Sequence, residues 1–185
     1  MNRYPYLTAM PRIFILSILM FLFSCDSKKD LATVTNLDIE KYAGTWYEIA
    51  KLPNSFERGL TCVKAKYTPL ANGKIEVINS GKKLSDGAWK EITGKAKVPD
   101  KAYPGRLKVT FFWPFAGDYY VIDLADDYSY SLVGNPGRDY LWILSRTPQI
   151  PEVIYTQLLE KAKSHGFPVD KVEKMDQSCE MPKEE

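Results

Sequence analysis

Histidine and cysteine, the side chains that most often hold transition metals and haem, are scarce in this chain. There is one histidine, His165, and there are three cysteines in 185 residues. His165 falls at the end of a predicted helix, where a protonated side chain meets the negative end of the helix dipole, so we expect a surface role for it. The sequence therefore predicts neither a haem-binding histidine nor a metal site, and we expect no cofactor.

An excess of charge of one sign is also missing. The chain has 25 basic and 23 acidic residues, and a net charge of +2 is too small to argue for a nucleic-acid partner. The hydrophobic fraction of 45% fits one globular domain, and the aromatic fraction of 13% favours strands over helices.

The chain has no apolar run long enough for an ordinary membrane-spanning helix. Its longest run, residues 13–23, follows Arg3 and Arg12 and has the length of a signal-peptide core. The run ends in Leu22-Phe23-Ser24-Cys25, which resembles the lipobox of bacterial lipoproteins. There the signal is cut before the cysteine, which is then acylated. The alternative is an ordinary secretory signal that is cut nearby.

The lipobox resemblance implies a division of the chain. We expect a signal peptide over residues 1–24, a lipidated tether over residues 25–36, one domain over residues 37–180 and a tail over residues 181–185. Several acyl chains on Cys25 would anchor the protein stably in a membrane. The expected location is the bacterial cell envelope, on the outer membrane.

Strand patterns alternate with turn residues along the rest of the chain. Asn72-Gly73 predicts a two-residue hairpin turn, because both residues tolerate a positive φ. Eight short strands at regular spacing predict an all-β fold, an eight-stranded antiparallel up-and-down barrel. The predicted strands cover residues 45–52, 60–68, 74–81, 88–98, 106–112, 118–124, 128–133 and 140–145.

Only one segment has the periodicity of a helix. Residues 151–163 begin with proline, which suits the first helical position, and Gly166 ends the segment. Ile154, Leu158 and Ala162 form one apolar stripe, so we expect this C-terminal helix to pack on the outside of the barrel. Residues 172–177 predict a short ninth strand.

Three motifs resemble those of the lipocalin family. Gly44 and Trp46 open the first strand, residues 117–122 resemble the second family motif, and residues 139–148, which include Arg146, resemble the third. The likeness extends from about residue 37 to Cys179. It is greatest to the bacterial outer-membrane lipoproteins and apolipoprotein D.

The resemblance implies roles for particular residues. Gly44, Trp46 and Arg146 would close the base of the barrel, with the arginine lying across the indole. Cys62 and Cys179 are similar to a disulfide pair of apolipoprotein D; the alternative is two buried free thiols. Strand alternation and the resemblance together give five expected ligand-binding residues. These are Tyr67, Val77, Asn79, Phe111 and Trp142.

An apolar inner wall with a few polar groups suits an acyl chain with its polar head near the mouth. The expected partners are therefore a fatty acid or lysophospholipid ligand and, through the acyl chains on Cys25, a membrane. A homodimer is left open. Two alternatives remain open: a lipocalin-fold enzyme that acts on a small hydrophobic substrate, and a structural envelope protein with a filled barrel. Catalysis is not expected, because Glu48 is a lone carboxyl and no free thiol remains if the cysteines are used as above.

Overall fold

Eight antiparallel strands close into a barrel in the computed structural model, which describes residue 1 and residues 30–179. Each strand pairs with the next along the chain, and the first strand pairs with both the eighth and the second. The predicted fold class is therefore confirmed. The strands are β1 (Gly44–Lys51), β2 (Leu60–Pro69), β3 (Ile75–Lys83), β4 (Trp89–Lys97), β5 (Arg106–Phe112), β6 (Phe115–Leu124), β7 (Tyr130–Gly134) and β8 (Leu141–Ser145).

Alternation along the strands produces two hydrophobic clusters, one on each side of the barrel wall. The inner cluster surrounds Trp46, which is completely buried. The outer cluster lies between the wall and the helix α2 (Glu152–Ser164), whose Tyr155, Leu158 and Ala162 are buried. The predicted packing of the helix is confirmed. Pro151, however, is the N-cap residue and not the first helical residue.

A four-residue helix, α1 (Ile39–Tyr42), precedes β1 and was not predicted. Asp38 caps it by accepting hydrogen bonds from the backbone N–H groups of Glu40 and Lys41. Four residues are too short to show an apolar stripe, which is why the sequence pattern gives no sign of this helix. Among the described residues, no helix is long and apolar enough to cross a membrane.

The connection between β2 and β3 differs from the predicted two-residue turn. It runs over residues 70–74, and Gly73 has a φ of +73° whereas Asn72 does not have a positive φ. The Asn72 side chain instead accepts a hydrogen bond from the backbone N–H of Lys74. The asparagine therefore acts through its side chain and not through a left-handed backbone.

The C-terminal segment fills a gap between β1 and β2. These strands pair only from Gly44 to Tyr47, and further up β1 its neighbour becomes the short strand β9 (Glu173–Lys174). The Gln177 amide donates to the backbone oxygens of both Glu48 and Val63, and so bridges the two strands.

Candidate functional site

Arg146 closes one end of the barrel, which we call the base. Its guanidinium carbon lies 3.9 Å from the centroid of the Trp46 ring. The same group donates to the backbone oxygens of Thr45 (2.9 Å), Lys41 (2.8 Å) and Tyr128 (3.2 Å). One side chain thus joins α1, β1 and the turn before β7, over a stacked indole.

Gly44 allows this arrangement. Its φ is +92°, a left-handed conformation that L side chains rarely adopt, and a Cβ there would lie 3.4 Å from the Arg146 Nη1 atom. The Trp46 indole N–H donates to the Tyr42 backbone oxygen at 2.8 Å, so the end of α1 satisfies the one polar atom of this buried ring. The structure therefore brings Gly44, Trp46 and Arg146 together at the base.

Three tyrosine hydroxyls meet above the base, inside the barrel. The Tyr119 hydroxyl lies 2.7 Å from that of Tyr42 and 2.9 Å from that of Tyr67. Burial raises the pKa of all three phenols above their usual range, so they stay neutral and each can donate. The lower interior is therefore occupied by bonded side chains.

The side chains of the upper interior are less buried than those of the lower interior, and they lie towards the other end of the barrel, the mouth. Asn79, Phe111 and Trp142 are half-buried there, on inward-facing positions of β3, β5 and β8. The Asn79 Oδ1 atom is buried but has no hydrogen-bond partner among the described residues. A buried acceptor without a donor is costly, so it is suited to a donor from a bound molecule.

Beside Trp142 lies a buried charge cluster, which consists of Glu48, Lys51 and Glu57. The Lys51 Nζ atom is 3.1 Å from the Glu57 Oε2 atom and 3.7 Å from the Glu48 Oε1 atom. The Trp142 indole N–H donates to the Glu57 Oε1 atom at 3.3 Å. All three charged residues are less than 10% exposed. The inner wall therefore carries this charge cluster in addition to the few polar groups that the sequence predicted.

Two carboxyl groups share one lysine in this cluster. Burial, and next the nearby Glu57, raise the pKa of Glu48 well above its usual range, while Lys51 opposes the rise. Glu57 is better supplied with partners, because Asn54 also donates to its Oε2 atom at 2.7 Å. The raised pKa of Glu48 therefore follows from its burial beside a second carboxyl group, with only one lysine for both.

The predicted ligand residues fall into two groups. Tyr67 and Val77 are buried in the lower interior, at 5% and 2% exposure, and the Tyr67 hydroxyl is already bonded. Asn79, Phe111 and Trp142 line the upper interior. The sequence missed Lys51 and Glu57. A β-bulge between Glu48 and Ala50 turns Lys51 inward, and Glu57 comes from a loop, so simple alternation finds neither.

The predicted disulfide is present, and it joins Cys62 to Cys179. It fixes the C-terminal segment to β2, beside the gap that this segment fills. Cys25 lies outside the described residues. In the described part of the chain no group of three or more His, Cys, Asp or Glu side chains is placed to hold a metal ion.

A closed eight-stranded barrel, sealed at the base and half-open inside the mouth, defines a class of proteins that hold one small ligand. A family model described as "Lipocalin-like domain" matches residues 37–177 of the chain. The chain belongs to the lipocalin family, and this membership implies binding of a lipid or another small hydrophobic ligand.

Relatives of the chain include bacterial and animal proteins. The outer membrane lipoprotein Blc of Vibrio cholerae is 39% identical over 88% of this chain and 96% of its own length. Blc of Escherichia coli K12 is 44% identical over 77% and 81% of the two chains, and mouse apolipoprotein D is 40% identical over 77% and 78%. Among solved structures, the cockroach allergen Per a 4 superposes with a TM-score of 0.63 at 28% identity, over 80% of this chain and 93% of its own.

Proposed function

We propose that the protein carries or stores fatty acids, lysophospholipids or similar amphiphiles in the upper half of its barrel. The observation that carries the proposal is the contrast between the two halves of the interior. The lower half is filled by bonded tyrosines, whereas Asn79, Phe111 and Trp142 remain half-buried below the mouth. A structural protein with a filled barrel would not need this half-buried inner surface or the unpaired Asn79 oxygen.

The proposed orientation puts the acyl chain against Phe111 and Trp142 and the polar head at the mouth. The aromatic rings offer apolar surface, and the Asn79 oxygen would accept a hydrogen bond from a hydroxyl or amide group of the ligand. Tyr67 and Val77 form the floor of this space. The buried charge cluster would hold the Trp142 ring in place through the indole–Glu57 hydrogen bond.

The carrier role is tested by titrating a long-chain fatty acid or a lysophospholipid into delipidated protein. Tryptophan emission should change on binding. Trp142→Ala should weaken binding by about 1–3 kcal/mol, because the large apolar surface of the indole ring is lost. Trp89→Ala is the matched control. Trp89 pairs with Lys82, one position away from the inward-facing Gly81, and therefore lies on the outer face. The proposal fails if no amphiphile binds at micromolar concentration, or if both variants bind as the wild type does.

The proposed anchor is an acylated Cys25 in the bacterial cell envelope, on the outer membrane. The Vibrio and Escherichia relatives, which are named outer membrane lipoproteins, support this location. Cys25→Ser should release the protein from the membrane pellet or block signal cleavage, and labelling with a palmitate analogue should vanish. A variant that labels and sediments like the wild type would contradict the anchor.

We propose no catalytic role, and the test is incubation of the purified protein with its bound amphiphile. The ligand should be recovered chemically unchanged; a converted product would favour the alternative of a lipocalin-fold enzyme. A homodimer is compatible with this proposal, and sedimentation velocity of the purified protein measures it.

A further inference from the structure

A chain of hydrogen bonds crosses the barrel interior, and its direction follows from its last member. The Ser131 hydroxyl donates to the Asp123 backbone oxygen at 3.3 Å, so towards Tyr42 it can only accept. Tyr42 donates to Ser131 at 3.5 Å, and it therefore accepts from Tyr119 at 2.7 Å. Tyr119 in turn accepts from Tyr67 at 2.9 Å. Every hydroxyl proton of this chain is thus already used.

This chain of hydroxyl groups leaves the neighbouring amide of Asn79 without a donor. Tyr67 pairs with Val77, and Asn79 lies two residues further along β3, on the same inner face. Residues in this diagonal relation are about 7–8 Å apart, within reach of a tyrosine side chain. The Tyr67 proton, however, goes to Tyr119. The buried Asn79 Oδ1 atom has no partner among the described residues, and Tyr67 could supply one only by breaking the chain.

The charge of the inner wall differs between its middle and the mouth. The buried charge cluster beside Trp142 has two carboxyl groups for one lysine, Lys51. At the mouth, Lys90 is exposed and pairs with the inward-facing Gly81, and none of the ion pairs within residues 30–179 involves it. A ligand carboxylate is therefore favoured beside Lys90 and disfavoured deeper in the barrel, where it would add a third acidic group.

The register of β3 and β4 gives the depth of Asn79 below this lysine. Asn79 pairs with Ile92, which is two residues from Lys90 along β4, and two steps along a strand span about 7 Å. A carboxylate beside the end of the Lys90 side chain lies further out still, because that side chain is long. An acyl chain that runs inward from Lys90 therefore passes Asn79 with its middle carbons.

We propose that the barrel selects acyl chains that carry a hydroxyl group near their middle, and that this hydroxyl donates to the Asn79 Oδ1 atom. A hydroxyl supplies the missing donor without bringing a charge into the interior. A methylene at the same place leaves the amide oxygen unpaired, and a second carboxylate would meet the acidic cluster. This inference rests on the proposed carrier function, and it names the class of ligand: a hydroxylated fatty acid or an ester of one.

The experiment titrates three acids into delipidated wild-type protein by calorimetry, each below its aggregation concentration. They are octadecanoate, octadecanoate with a mid-chain hydroxyl, and octadecanoate with a hydroxyl on the carbon next to the carboxylate. We expect the mid-chain hydroxyl to increase the affinity about fivefold over the plain acid, because it bonds to an otherwise unpaired buried acceptor. The hydroxyl next to the carboxylate should stay in water at the mouth and change the affinity by less than twofold.

Three variants locate the hydrogen bond. Asn79→Leu removes the amide at similar volume, so the acid with the mid-chain hydroxyl should bind no more tightly than the plain acid. The matched control is Thr93→Leu, at an exposed position that pairs with Ile78 on the outer face, and it should keep the fivefold preference. Lys90→Gln should weaken the binding of all three acids by the same factor, because it changes only the contact with their shared carboxylate.

Two results would overturn the selection of hydroxylated chains. The first is wild-type protein that binds the plain acid as tightly as the acid with the mid-chain hydroxyl. The second is Asn79→Leu that keeps the wild-type preference, since the hydroxyl would then be bonded elsewhere. Both results leave the carrier function standing, because the plain acid still binds. If the wild type binds neither these three acids nor a lysophospholipid, the carrier function fails and the selection fails with it.

Discussion

Removing the Arg146 side chain tests the closure of the barrel base. Arg146→Ala deletes a cation–π contact with Trp46 and three hydrogen bonds to backbone oxygens. A cation–π contact contributes about 0.5–2 kcal/mol and each hydrogen bond about 0.5–1.5 kcal/mol net. These contributions share one group, so we expect a loss of about 3 kcal/mol in the free energy of unfolding.

Arg146→Lys tests the contribution of the positive charge separately from that of the planar guanidinium group. An ammonium group keeps the positive charge and can reach one or two of the three carbonyl oxygens, but it cannot stack on the indole as a guanidinium does. We expect it to lose about 1–2 kcal/mol, which is less than alanine loses.

The assay is equilibrium unfolding in urea with the disulfide intact. For an m-value of about 2 kcal/mol per M, Arg146→Ala should lower the midpoint by about 1.5 M. Arg58→Ala is the matched control, because Arg58 is an exposed arginine and should leave the midpoint unchanged. If both Arg146 variants unfold at the same midpoint as this control, the arginine does not stabilise the base and the reasoning is refuted.

Three further changes test other parts of the barrel. Cys179→Ala removes the bridge to Cys62, which closes a separation of 117 residues, and the chain-entropy model gives a loss of about 4–5 kcal/mol, measured by urea unfolding without reductant. Tyr119→Phe removes the hydroxyl that joins its two neighbours and should cost about 2 kcal/mol, whereas Tyr67→Phe should cost about 1 kcal/mol by the same assay. We expect the free energy of unfolding of the wild type to decrease as pH rises above the pKa of an unfolded glutamate. In Glu48→Gln this decrease should be smaller, because the side chain no longer titrates.

The sign of the Glu48 effect follows from proton counts. Its pKa is raised in the folded protein, so between the unfolded and the folded pKa the folded chain holds more protons, and stability falls with rising pH. A wild type whose unfolding free energy rises over that interval, with the slope unaltered in Glu48→Gln, would contradict this account.

Equal losses in Tyr119→Phe and Tyr67→Phe would argue against Tyr119 as the centre of the tyrosine cluster. Cys179→Ala with wild-type stability would show that the C-terminal segment is held without the bridge.

Much of the fold could be predicted from the sequence because each strand shows its pattern locally. Alternating side chains and the turn residues between them place all eight strands within a few residues, and Gly166, with a φ of +84°, follows the helix end as expected. The four-residue α1 carries no such periodicity and was missed. The turn at Asn72 was wrong because its side chain, and not a left-handed backbone, makes the local hydrogen bond.

The candidate site was harder to predict because it depends on irregular backbone. Asn79 follows the regular alternation of β3, whereas Trp142 was expected in the cavity from the family resemblance, and both lie on inward-facing positions. Lys51 turns inward only because of the bulge after Glu48, and Glu57 reaches Lys51 from a loop whose course no pattern specifies. The bonding of Tyr67 to Tyr119 likewise depends on the approach of two distant strands.

Native mass spectrometry of the mature protein, purified from its own membrane without added lipid, tests the carrier proposal most directly. We expect a population heavier than the polypeptide by the mass of one fatty acid or lysophospholipid per chain, beyond any covalent acyl groups. Mild activation should release this mass from the wild type and from Trp89→Ala, and Trp142→Ala should retain less of it. A single species without bound amphiphile, in the wild type and in both variants, would contradict the carrier function and favour a filled structural barrel.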